Sequence, residues 1–228
     1  MPAVRTKTKS EETRAVIMDA ALALFRQEGF DKSTMRGIAE NAGVATGAAY
    51  YYYPSKEAIV LEFFERSCEE MRPVIAAALE NLPDLDARLR ELIRVKLHYF
   101  QPNRSVLRAL LRTGADPGYP LSPFSSQTKD IRDIDIAWFG RILVDSGVRI
   151  PKDLKPMLPG ILWFFQMGII LFWVVDDSPD QVRTQQLLEL SAKSVVFLIR
   201  ASALPFLRPL RKTVVQLVEI VRTPGGKE

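Results

Sequence analysis

The chain has 228 residues, 47% of them hydrophobic, with 31 Lys and Arg against 27 Asp and Glu for a net charge of +4. That is enough apolar material for one large or two small folded domains, which excludes a disordered chain. The single cysteine, Cys68, excludes an internal disulfide, and one cysteine with one histidine, His98, excludes a Cys/His metal cluster. With no signal-peptide pattern at the N-terminus, the expected compartment is reducing and cytoplasmic.

Residues 1–10 read as an arm carrying Arg5, Lys7 and Lys9. Ser10, followed by Glu11 and Glu12, is the expected cap of a first helix that carries Val16, Ile17, Ala20, Ala21, Leu24 and Phe25 on one face and stops at Gly29. Ser33 or Thr34 then caps a second helix whose apolar face is Met35, Ile38, Ala39 and Ala42. Gly43 supplies the turn and Val44 the plug. Thr46 is the expected cap of a third helix running through Tyr53, where Pro54 halts it. Two short helices at a steep angle around a glycine turn are a helix-turn-helix, whose second helix enters the DNA major groove. Over residues 1–60 eight basic side chains face seven acidic ones, so charge alone is a weak argument for nucleic acid.

Ser55-Lys56-Glu57 starts a fourth helix, which Pro73 is expected to kink or interrupt. Helices follow over 86–100, 105–113 and 125–146, with a Gly/Pro-rich loop over 114–123. Met157–Val175 is the most apolar element. Asp176 to Pro179 closes it and caps a helix over 179–202, and a basic amphipathic helix spans 208–222. No strand alternation and no repeat is found, so the fold class is all-α.

The string Ile38-Ala39, Ala42-Gly43-Val44, Gly47, Tyr50 to Lys56 and Glu57, with Ala20-Ala21, Leu24-Phe25 and Glu28-Gly29-Phe30 upstream, resembles the DNA-binding domain of TetR-family transcriptional regulators. The resemblance covers about the first quarter of the chain. It departs from the family at Ala45, where serine or threonine is common, and at Tyr53, where phenylalanine is common and a hydroxyl now needs a partner. The resemblance implies an N-terminal helix-turn-helix three-helix domain (1–56) and a larger helical ligand-binding and dimerisation domain (57–228). It implies a homodimer on a palindromic double-stranded DNA operator, acting as a repressor released by a small-molecule effector.

The DNA-binding set is Thr34, Arg36, Thr46, Gly47, Ala48, Tyr50, Tyr51, Tyr52 and Lys56. Small residues at 46–49 admit the helix backbone to the groove, and exposed Tyr51 and Tyr52 suit backbone or base contacts. Tyr50 and Tyr53, three apart, are both expected to pack inward. Arg36 is open between a guanine contact, which the resemblance implies, and an ion pair with Glu40 at i+4. Lys56 and Thr34 are expected on phosphates.

The effector set is Phe64, His98, Tyr99, Trp138, Trp163, Phe164, Met167 and Trp173, which as a group suits a lipophilic or aromatic molecule. Each is open to a plain core role, and His98 to that of a satisfied polar side chain. No catalytic motif is found: no GxGxxG, no P-loop and no GxSxG. No cofactor, metal or catalytic residue is expected. Two alternatives stand beside the regulator. One is a ligand-sensing or partner-binding protein of the same fold with weak DNA affinity. The other is a membrane-associated helical protein using 157–175 or 208–222, which the interruptions at Pro159, Gly160, Gln166 and Gly168 disfavour.

Overall fold

The structure is a computed structural model that describes residues 8–111, 114 and 116–222, the side chains of 210 and 218–222 excepted. Arg5 and Lys7 of the arm lie outside the described residues. Ten α-helices are described: α1 (Lys9–Glu28), α2 (Met35–Asn41), α3 (Thr46–Tyr52), α4 (Lys56–Leu79), α5 (Leu85–Phe100), α6 (Arg104–Leu111), α7 (Lys129–Asp145), α8 (Leu158–Val175), α9 (Val182–Ala201) and α10 (Arg208–Arg222). Short 3-10 turns precede α6, α9 and α10, and no strand occurs among the described residues.

The chain forms two compact units. The first comprises residues up to Glu70 together with Phe100–Arg132. It thus takes in, beyond the first 56 residues, the start of α4 and all of α6. Its core gathers Ile17, Leu24 and Phe25 of α1, Ile38 of α2, Ala49 of α3, Ile59 and Phe63 of α4, and Val106 and Leu110 of α6. Each such large side chain, once buried, contributes about 1.5–3 kcal/mol. Arg26 Nη1 donates to Asn103 Oδ1 at 2.8 Å and ties α1 to the turn before α6.

Helix boundaries follow local chemistry, in places not where the sequence suggested. The cap of α1 is Thr8, not Ser10: its hydroxyl accepts from the Glu11 amide at 3.2 Å and the Glu11 carboxylate accepts from the Thr8 amide at 2.7 Å. Counted from Thr8, Glu11 stands at the third helical position, so the reciprocal box is complete. Gly29 ends the helix at φ 90°, where a side chain would be strained. Ser55 accepts from the Ala58 amide at the head of α4, which runs unbroken through Pro73. The expected helix start at Ser125 moves to Lys129. Ser122, Ser125 and Thr128 bond their hydroxyls to nearby backbone in successive turns, and these local bonds compete with helix.

The second unit comprises Met71–Tyr99 and the chain from Asp133 onward. Its buried stripes are Leu85, Leu89, Leu92 and Ile93 on α5, Phe139, Ile142 and Leu143 on α7, Leu162, Trp163, Ile169 and Trp173 on α8, and Leu188, Ala192, Val196 and Ile199 on α9. Asp176 is buried between α8 and α9 and caps the second of them. Its Oδ2 accepts from the Thr184 amide and hydroxyl at 2.8 and 2.6 Å, and its Oδ1 from the Ser178 amide and hydroxyl at 3.1 and 2.7 Å. Burial works against its charge, but the bonds from Thr184 and Ser178 hold the carboxyl well below the usual carboxylate range. Among the described residues α8 alone is long and apolar enough to cross a membrane, and 39% of it is buried inside the structure.

Candidate nucleic-acid interface

Thr34 caps α2, its hydroxyl accepting from the Gly37 amide at 3.1 Å. Ala42 ends the helix in the right-handed region and Gly43 reverses the chain at φ 66°. The Val44 amide reaches back to the Ala39 carbonyl at 3.0 Å, closing the turn. The cap of α3 is Ala45, which offers no side-chain acceptor; Thr46, the expected cap, is already helical. The family-like hydroxyl is therefore displaced rather than replaced. The helix stops at Tyr52, and Tyr53 is its extended C-cap.

The inward face of α3 is Ala49 with Tyr53, four apart, both essentially inaccessible. This corrects the expectation that Tyr50 turns inward with Tyr53: Tyr50 is 53% exposed, because the chain leaves the helix between them and position 53 takes the inward direction from 49. Tyr51 is 83% exposed. Tyr52 is half-buried against the core and meets the Tyr51 ring edge-to-face, with centroids 5.2 Å apart. Thr46 and Gly47 are exposed, and a Cβ built on Gly47 would meet nothing within 4 Å. Thr46, Gly47, Tyr50 and Tyr51 thus share an open surface on the second helix of the motif.

Arg36 pairs with Glu40 at 3.0 Å, and their side chains are 81% and 65% exposed. Such a surface pair is worth about 0.3–0.5 kcal/mol, so Arg36 can leave it for a stronger acceptor at little cost. Lys56 is placed differently from the sequence expectation. Its ammonium donates to the carbonyls of Phe30 at 2.6 Å, Ser33 at 3.2 Å and Asp31 at 3.4 Å, and lies 4.4 Å from the Phe30 ring centroid. Its donors are spent on the loop between α1 and α2.

One cluster fixes α3 from behind. The Tyr53 hydroxyl donates to Glu62 Oε1 at 3.0 Å, with the Arg14 carbonyl at 3.3 Å as a second acceptor. Arg14 grips Glu62 Oε2 through Nε at 2.6 Å and Nη2 at 2.5 Å, and its guanidinium lies 4.8 Å over the Tyr53 ring. Burial, then the Glu62 carboxylate, pushes the hydroxyl well above the usual phenol range, so it stays a proton donor. The hydroxyl flagged in the sequence as needing a partner thus finds one on α4.

The effector set is divided between the two units. Phe64 belongs to the first unit, where its ring meets Phe63 and Phe100 at 5.8 and 6.1 Å. In the second unit His98 is exposed, Tyr99, Trp138 and Met167 are half-buried, and Trp163 and Trp173 are buried. The Arg141 guanidinium covers the Trp138 ring at 5.3 Å. Phe164 is 52% exposed, on the face of α8 opposite the buried stripe. Sequence reasoning passed over three polar residues in this unit: Lys96, Asp135 and Gln166, from α5, α7 and α8, bond to one another. A signal was present. Each occupies a position on its helix's buried apolar stripe, and a polar residue there needs a partner.

Known proteins match both parts of the chain. A family model described as bacterial regulatory proteins, tetR family, matches residues 17–63, and one described as tetracyclin repressor-like, C-terminal domain, matches residues 88–217. A probable HTH-type transcriptional regulator, ArpR of Pseudomonas putida, is 38% identical over 82 residues, 36% of this chain and 39% of that protein. An HTH-type regulator of Bacillus subtilis, YxbF, is 24% identical over 217 residues, 93% of this chain and 53% of that protein. The chain thus spans 39% to 53% of the length of these curated relatives. The solved structure of Thermus thermophilus FadR, described as a repressor in complex with lauroyl-CoA, superposes with a TM-score of 0.57 at 21% identity, covering 79% of this chain and 93% of that one.

Proposed function

The chain belongs to the tetR family of bacterial transcriptional regulators, and from that premise we propose that it is a homodimeric repressor released from a palindromic operator by a small molecule. Tyr51 carries the reading. A tyrosine 83% exposed on a seven-residue helix, beside the open Gly47 and opposite the buried Ala49 and Tyr53, touches the edge of the Tyr52 ring and leaves most of its surface open. An aromatic with a phenolic hydroxyl at that place suits the sugar-phosphate backbone and base edges of a groove.

In this reading α3 lies in the major groove. Thr46, Gly47 and Ala48 face the bases, Tyr50, Tyr51 and Tyr52 flank the backbone, and Thr34 meets a phosphate. Arg36 exchanges Glu40 for a guanine. Lys56 holds the loop between α1 and α2 through its three carbonyls rather than meeting phosphate itself. The effector binds the C-terminal helices, and a lipophilic ligand is supported by the apolar composition of α8 and by the lauroyl-CoA of the T. thermophilus relative. Coupling between effector and operator is reciprocal.

A gel shift with DNA from upstream of the coding sequence, followed by selection from random sequence, tests this. Specific, salt-sensitive binding is expected, and Tyr51→Ala is expected to weaken it about tenfold while leaving the melting temperature unchanged. No specific DNA from either source would return the chain to the ligand-sensing alternative.

A further inference from the structure

Lys96, Asp135 and Gln166 form a closed polar group inside the second unit. Lys96 continues the buried stripe of Leu85, Leu89 and Leu92 on α5; Asp135 stands one turn before Phe139 on α7; Gln166 stands between Leu162 and Ile169 on α8. The Lys96 ammonium bonds Asp135 Oδ1 and donates to Gln166 Oε1 at 2.7 Å, while Gln166 Nε2 donates to Asp135 Oδ2 at 2.6 Å. The ammonium also lies 4.8 Å from the centroid of the Phe139 ring. One carboxylate is therefore held at both oxygens by donors from two other helices.

The three members are not equally placed. Lys96 is 5% exposed and Gln166 2%, whereas the Asp135 side chain is 21% exposed. Lys96 and Gln166 are the fixed walls, and the carboxylate is the member that can reach water. A buried ion pair seldom stabilises a fold more than apolar residues of the same volume. Two buried donors converging on both oxygens of one carboxylate are instead the arrangement by which proteins recognise that group.

We propose that Lys96 and Gln166 form a carboxylate receptor which the chain's own Asp135 fills, and that an apolar monocarboxylate takes the place of Asp135 there. This rests on the reading of the chain as a ligand-responsive regulator and names the chemical class of its effector. The exchange conserves charge: one carboxylate enters, and that of Asp135 turns to solvent, where water compensates it. A dicarboxylate is excluded because the single ammonium leaves the second charge buried and unpaired. A neutral ligand is excluded because it strands the ammonium when Asp135 leaves. The body of the ligand is apolar because the stripe residues adjoining the group, Leu92, Phe139 and Leu162, are buried hydrophobics. Once displaced, Asp135 no longer ties α7 to α5 and α8, so the ligand distinguishes two states of these helices, as a population shift requires.

The test uses the full chain without DNA, so its failure is separable from failure of operator binding. Asp135→Ala empties the receptor. Millimolar acetate is expected to raise the melting temperature of this variant by several degrees, acetamide to leave it unchanged, and Lys96→Met in the same background to abolish the acetate effect. Octanoate is expected to raise the melting temperature of the wild type, and octanamide not to. If Asp135→Ala does not fold, Asp135→Asn keeps the volume and removes the competing charge, and its affinity for octanoate is expected to rise about tenfold. Indifference of Asp135→Ala to acetate, equal effects of octanoate and octanamide, or unchanged octanoate affinity in Asp135→Asn would each overturn the proposal. If octanoate binds but no DNA is bound specifically, the receptor stands and the operator reading fails.

Discussion

The Tyr53 hydroxyl is one atom more than the phenylalanine common at this place, and it joins three elements. It meets the Glu62 carboxylate on α4, and Glu62 in turn holds Arg14 of α1. Removing it leaves the ring volume intact and takes away one donor to a carboxylate, a loss of about 1–2 kcal/mol. Tyr53→Phe should therefore lower the melting temperature by about 2–8 °C without altering the helix content. Because the hydroxyl fixes the end of α3, the variant should also discriminate less well between operator and random DNA. A change in stability with unaltered discrimination would reduce Tyr53 to a packing residue. Lys56 shows the reverse case. The family resemblance implied a phosphate contact, but its ammonium has three carbonyls within reach, and nothing in the sequence announces that a loop reversal will present them.

At the scale of elements, the entry to α9 depends on a carboxylate rather than on a helix-forming residue. Asp180 and Gln181 take left-handed conformations, at φ 53° and 52°, just before the helix begins. Such residues cost of order 1 kcal/mol each and persist where neighbours over-determine them. The four bonds accepted by Asp176 do so. Its folded-state pKa is depressed, so its contribution is complete above the ordinary carboxylate value of 3.8, begins to shrink there, and is lost as pH falls on through the lower folded value. Asp176→Asn should thus melt lower than wild type at neutral pH, and the gap should close as the pH drops below about 4. A gap that persists unchanged into acid would show that the charge is not what matters. Thermal melts from pH 7 down to pH 3 read this directly.

At the scale of the molecule, the proposed dimer would use the exposed faces of α8 and α9. On α8, Phe164, Gly168, Leu171 and Val175 recur at spacings of four, three and four; on α9, Leu187, Leu190, Ser194 and Phe197 recur at three, four and three. Phe197 is 70% exposed and Leu190 66%. The two helices pack on each other, and each carries an exposed apolar stripe, which marks the pair as an interaction site. A symmetric pairing through it would place two helix-turn-helix motifs on the half-sites of one operator. Phe197→Glu should shift the protein from dimer to monomer in sedimentation velocity and abolish cooperative operator binding. A variant that remains dimeric would move the interface elsewhere.

The all-helical class, the helix-turn-helix and most helix boundaries were legible in the sequence, because apolar spacing, caps, glycines and prolines act within a few residues. Gly29 ends the first helix as expected, Gly43 makes the expected turn just after Ala42, and the third helix stops one residue short of its expected end at Tyr53. Even the single-residue errors are local, as when Thr8 rather than Ser10 proves to be the cap. The position of Tyr50, the commitment of Lys56 and the grouping of Lys96 with Asp135 and Gln166 were not legible. The last three are separated by 39 and 31 positions in sequence, with the whole of α6 between the first two. A periodic pattern says that a polar residue faces inward; it does not say which other inward-facing residue it will meet. By itself the sequence determined the elements and their apolar faces, since these follow from interactions along the chain. Only the tertiary structure decided which charges are spent on the fold and which remain for a ligand, because that depends on donors and acceptors that packing alone brings together.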